Sequence, residues 1–173
     1  MRKRSKRWSA AAVACGAVLV AGGVAFAIRS NCWMTGGGSI FDQRGEVVYE
    51  GRITHGFEVH CSPRRSDNLE INDHVSGQSF HMEDLLSANC SDDPTIEPNP
   101  PDAFFDTFQG YGRGRCKQPD RPCEVYFTFT DGGERGGCLR DTASILVREI
   151  GSGTTVISIT GDVDCGNHQA HSN

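Results

Sequence analysis

The stretch ITHGFEVHC, residues 53–61, places two histidines and a cysteine within nine positions. It admits three readings: a metal site, a catalytic Cys–His pair, or a core strand that ends in a disulfide. Alternation separates them. Successive side chains of an extended chain point to opposite faces. Ile53, His55, Phe57, Val59 and Cys61 therefore share one face, and Thr54, Gly56, Glu58 and His60 the other. His60 cannot serve as base for its neighbour Cys61. His55 is on the right face but about 20 Å from Cys61, at ~3.3 Å per residue. No dyad forms within the strand. Its apolar face reads as core, with His55 a hydrogen-bonded core histidine and His60 the more available of the two.

The same period of two recurs along the chain. In CEVYFTFTD, residues 123–131, Val125, Phe127 and Phe129 alternate with Glu124, Tyr126 and Thr128. DTASILV (141–147) and TTVISITG (154–161) read as two further strands around a glycine turn. No stretch sustains a helical period. HMEDLLSANC, residues 81–90, comes nearest and is expected to supply one short turn. Residues 91–105 form a proline-rich loop. Short strands with glycine and proline connectors point to an all-β sandwich or barrel. The expectation is one disulfide-stapled, β-sandwich-like domain over residues 30–173.

Residues 1–29 differ in kind. Five basic residues fall among the first seven, an uncharged apolar run extends from Ser9 to Ala27, and small residues stand at Ala25 and Ala27. That is the layout of a signal peptide. The run is also nearly long enough to serve as an N-terminal membrane anchor. Either way the remainder is exported, to the periplasm, the cell surface or the medium. Cleavage after Ala27 would remove five of the seventeen basic residues and none of the twenty-two acidic ones, which leaves the exported part at −10. A chain so acidic is a poor general binder of nucleic acid or anionic membrane. Membrane contact is expected only through the N-terminal segment. The partner classes left are an extracellular protein or glycan, and cations.

Seven cysteines follow the export segment: Cys32, Cys61, Cys90, Cys116, Cys123, Cys138 and Cys165. In an exported chain they are read as disulfides before zinc ligands. An odd count leaves one thiol over.

Taken in order, TGGGSI, THGFEVHC, DNLEIN, SFHM, CSDDPTIEPNPPDAFFDT, FTFTDGGERG, DTASI and GNHQAH resemble a family of exported bacterial β-domains. These are the domains that follow choice-of-anchor modules in surface proteins. The likeness runs over about residues 35–171 and implies an exported, mostly β accessory module of no established activity. It also implies a Cys61–Cys90 bridge, since both cysteines sit inside matching motifs. The other cysteines fall outside the pattern, and the module here follows an export segment rather than a larger neighbour.

Cys116 and Cys123 flank six residues, KQPDRP, that read as a hairpin loop closed by a second bridge. Cys32–Cys165 is the expected third, tying first strand to last, with Cys138 the odd thiol. The basic stretch around Tyr111, with Arg113, Arg115, Lys117 and Arg121, reads as the solvated tip of that hairpin, able to contact an acidic glycan. Its alternating glycines read as close backbone packing. A zinc or copper site would draw on His60, His81, His168 and His171. A calcium site would draw on Asp131, Glu134, Asp141, Asp162 and Asp164 in acidic loops. Catalytic signatures are absent: there is no G-x-S-x-G and no H-E-x-x-H. The functional expectation is a non-catalytic surface or envelope module that binds a protein or glycan or stabilises an assembly. A metal-dependent hydrolase and a calcium-stabilised adhesive module are the alternatives.

Overall fold

The computed structural model describes residues 31–41, 51–64, 66–96, 103–133 and 141–172. The expected export segment, Glu134 and Cys138 lie outside them. No helix among the described residues is long and apolar enough to cross a membrane.

The architecture is all-β. Nine strands run β1 (Cys32–Phe41), β2 (Arg52–His60), β3 (Asn68–Asp73), β4 (Ser79–Ser91), β5 (Thr107–Lys117), β6 (Arg121–Thr130), β7 (Thr142–Glu149), β8 (Thr155–Asp162) and β9 (Asp164–Ser172). They form one sheet in the order β8-β7-β6-β5-β4-β3-β2-β1-β9, every pair antiparallel. This corrects the expected sandwich, which would need two sheets. The two edge strands, β8 and β9, are consecutive in the chain with only Val163 between them. Opposite edges joined by one residue must meet, so the sheet curls into a nearly closed barrel. Right-handed twist gives a long meander this curvature, and closure protects its edges.

The barrel is filled from the inward-facing positions. Met34, Ile40, Val59, Leu69, Ile71, Phe80, Met82, Phe108, Val125 and Phe129 are all buried, and β2 buries Ile53, His55, Phe57 and Val59 as the alternation requires. The expected helical turn at 81–90 is instead part of the thirteen-residue β4. Register shifts at Met82/Asp84 and Leu85/Ser87 mark irregularities in its pairing with β5. Each such bulge advances the buried face by an extra residue. The buried Phe80, Met82 and Leu85 thus acquire a spacing that imitates a helix.

On β5, Gly110, Gly112 and Gly114 line the inside, where side chains have no room. A Cβ on Gly114 would collide with the His81 carbonyl oxygen, and one on Gly110 with the Phe127 ring.

Two disulfides are present, Cys61–Cys90 and Cys116–Cys123, with Cα separations of 5.7 and 5.8 Å. They place the domain in an oxidising, extracellular-type environment. The expected Cys32–Cys165 bridge does not form: Cys32 is buried and Cys165 exposed. First and last strands do pair. Their antiparallel register, however, sets Cys32 opposite Ser172 and Ser39 opposite Asp164, so the two cysteines stand at opposite ends of the ladder, roughly 20 Å apart.

Candidate functional sites inside and on the barrel

Inside the barrel, His55 of β2 and His168 of β9 meet with Nε2 atoms 2.7 Å apart. Gly36 on the intervening β1 makes room, since a Cβ there would lie 2.9 Å from the His168 ring. Phe57 and Phe129 enclose the pair, with ring centroids 5.1–6.0 Å from the imidazoles.

The hydrogen bonds fix the tautomers. His168 Nδ1 lies 3.0 Å from the Thr130 carbonyl oxygen, which can only accept. His168 therefore carries its proton on Nδ1 and accepts at Nε2 from the Nε2–H of His55. That leaves His55 Nδ1 as a lone pair, buried and with no hydrogen-bond partner among the described residues.

Burial first, then the charge of His168, lowers the His55 pKa to about 3. Burial likewise lowers His168 to about 4, partly offset by its bond to Thr130. Both rings are neutral. A metal does not fit between them: two Zn–N bonds of about 2.05 Å at a tetrahedral angle need roughly 3.3 Å between nitrogens.

The seam where β9 meets the β6–β7 end is closed by two buried carboxylates. Asp141 accepts from the backbone amides of His168 (2.6 Å) and Gly132 (2.9 Å). Asp131 accepts from Ala170 and Gly133, both at 2.9 Å. Amides two residues apart point to the same edge of a strand, so these aspartates satisfy the β9 edge that no strand covers. This reassigns the expected calcium ligands. Asp131 and Asp141 do come together, but their oxygens are turned to backbone amides. Asp162 is exposed and Asp164 half-buried.

The expected zinc or copper ligands do not converge. His168 points inward, while His171, three residues on, stacks outside on Trp33 at 5.0 Å. His81 is exposed on β4 and paired with Glu70. His60 was expected to be available and is buried. Its Nδ1–H donates to Asp67 Oδ1 at 2.7 Å, and its own amide donates to the same oxygen at 2.9 Å. Trp33 lies between His60 and His171 in the β2-β1-β9 register and stacks on both. Among the described residues no group of three or more His, Cys, Asp or Glu side chains is placed to hold a metal ion. The Asp67–His60 pair has the form of an oriented base, which needs a nucleophile in hydrogen-bond reach to act. Among the described residues, the Thr35 hydroxyl meets the His171 imidazole and the Thr54 hydroxyl that of His74.

The outer face of β4–β8 carries a third constellation, locked by register into three rows. The central row is Ser87, Tyr111, Tyr126, Leu146 and Ser158. On one side runs Asn89, Gln109, Thr128, Ser144 and Thr160, and on the other Asp84, Arg113, Glu124, Arg148 and Thr155. Tyr111 and Tyr126 stack with centroids 4.8 Å apart, and Tyr126 is 43 % exposed. Tyr111 donates its hydroxyl to Glu124 Oε2 at 3.1 Å and accepts from Arg113 Nε at 3.3 Å.

The expected basic tip is tied up in ion pairs. Arg115 and Lys117 both pair with Asp120, and Arg121 with Glu149. Tyr126 and the amide row were not singled out in the sequence. The signal was the outward half of the 124–128 alternation, whose inward half had identified core.

Comparison with known protein families, with curated proteins and with solved structures finds no match.

Proposed function

We propose that this chain is an exported, non-catalytic recognition module, and that it binds a glycan on the outer face of β4–β8. The observation that carries the reading is the stacked, solvent-facing tyrosine pair between a row of amides and hydroxyls and a row of alternating charges. Aromatic rings give the C–H face of a sugar an apolar surface at small entropic cost. Amide, hydroxyl, carboxylate and guanidinium groups in reach supply both donors and acceptors for its hydroxyls. A rigid sheet holds all of them at fixed spacing. The order of motifs that resembles bacterial surface modules supports the same reading, as do the disulfides.

Affinity electrophoresis tests it, with mannan, β-glucan or polygalacturonate cast into native gels. The wild type is retarded in at least one gel, and Tyr126→Ala abolishes the retardation without change in the blank gel. Equal mobility of wild type in all gels, or equal retardation of the variant, overturns the proposal. A tyrosine-dependent contact with a protein instead of a polysaccharide would move the partner class.

A further inference from the structure

Three cysteines meet at one end of the barrel. Cys32 opens β1, and the Cys61 amide donates to its carbonyl at 3.0 Å. The β1–β2 register pairs Trp33 with His60, so one step further Cys32 lies directly opposite Cys61. Opposed residues share a face of the sheet. Accordingly Cys32 is buried in the core and Cys61 packs against that same core. Opposed Cα atoms of a hydrogen-bonded antiparallel pair lie about 5.5 Å apart, inside the range of about 4.4–6.8 Å that a disulfide spans. Cys61 is bridged to Cys90 of β4 at a Cα separation of 5.7 Å. It therefore has two cysteines in bonding range, one on either side. β3 begins at Asn68, opposite Glu58, which leaves the end of β2 facing β4 without an intervening strand.

We propose that Cys32, Cys61 and Cys90 form an internal thiol–disulfide exchange site with two isomeric disulfides. Cys32 gives up its proton, and its thiolate attacks Sγ of Cys61. The Cys32–Cys61 bond forms as the Cys61–Cys90 bond breaks. The electron pair leaves on Sγ of Cys90, which takes up a proton. The number of disulfides is unchanged, and no external oxidant or reductant takes part. The exchange moves the staple from β2–β4 to β1–β2 and turns half-buried Cys90 into a reactive thiol at the barrel rim.

Trypsin separates the three cysteines, because Arg44 and Arg52 lie between the first two and Arg64 and Arg65 between the second two. Native, unreduced full-length protein is held in excess N-ethylmaleimide at mildly alkaline pH, then denatured and mapped by peptide mass. Cys90 becomes labelled in the wild type, in peptides where Cys32 is joined to Cys61. In Cys32→Ala its labelling slows at least tenfold. A second variant, Cys90→Ser, incubated with excess glutathione disulfide, which takes up the two electrons, yields the Cys32–Cys61 cross-linked peptide. Labelling of Cys90 at equal rates with and without Cys32, or in neither protein, overturns the proposal. So does recovery of Cys32 and Cys61 as separate alkylated peptides from folded Cys90→Ser.

Discussion

Acidification from pH 6.5 to 5 should unfold this domain far more readily than its carboxylates alone would suggest, because the His55–His168 pair resists protonation. In the unfolded chain each imidazole has the ordinary value of 6.5, and in the fold they lie at about 3 and about 4. A base whose folded pKa is depressed is charged earlier in the unfolded state. Unfolded chains thus bind more protons below pH 6.5, and stability falls as pH falls. The full contribution is present above 6.5 and erodes down to the folded values. Well below 6.5 each pH unit removes about 1.4 kcal/mol per histidine, but the unfolded imidazole is only half protonated at 6.5, so the step from 6.5 to 5 removes somewhat under 2 kcal/mol per ring and about 3 for the pair. Against a typical domain stability of 5–15 kcal/mol that is a large share. Urea titrations at half-unit pH steps read it directly. His55→Phe, which keeps an aromatic ring against Phe57 and Phe129, removes one of the two protons. Its slope should be shallower than wild type by about 1 kcal/mol per pH unit averaged over this window. Superimposable slopes for wild type and variant between pH 6.5 and 5 would refute the assignment of a neutral buried pair.

Other outcomes follow from the same geometry. Asp141→Ala strands the amides of His168 and Gly132 and should cost about 3–6 kcal/mol at ~1.5–3 per charged hydrogen bond, with hydrogen exchange at His168 and Ala170 accelerating first. Gly114→Ala sets a methyl against the His81 carbonyl and should lower stability by about 1–3 kcal/mol or more, measured by thermal melt. Removing Cys61–Cys90, whose partners are 29 residues apart, should cost about 3–4 kcal/mol, and removing Cys116–Cys123, 7 apart, about 2.5. Paired Cys→Ala variants compared by urea midpoint check the order. Tyr126→Ala, at an exposed position, should leave stability within about 1 kcal/mol while abolishing glycan binding.

Strand identity was legible wherever alternation was strict. ITHGFEVHC became β2 with the expected inward set, and VYFTF became the heart of β6 with its tyrosine outward. Alternation breaks at a bulge, which is why β4 imitated a helical turn. The number of sheets was not legible, because a sandwich and a barrel bury the same half of each strand. An unbroken run of strand pairings distinguishes them, ending in the contact between first and last strands, β1 and β9. The same non-local register decides the cysteines. Cys116 and Cys123, close in sequence, were readable from the loop between them, whereas Cys32 and Cys165 depended on the direction in which β9 runs. For the acidic loops the composition was visible but not the partner. Asp131 and Asp141 are turned towards amides of β9 some 39 and 27 residues away, which no spacing announces. His60 misled for a related reason: Asp67, seven residues on, folds back over it.

Residue-resolved binding is the decisive measurement for the tyrosine face. Uniformly 15N-labelled protein would be titrated with oligosaccharides of mannan, β-glucan and polygalacturonate while amide shifts are followed. At least one oligosaccharide should perturb the central and flanking rows, at Gln109, Tyr111, Glu124, Tyr126 and Thr128, and leave Trp33, His60 and His171 unmoved. Silence with all three, or shifts confined to the β2-β1-β9 face, would contradict it.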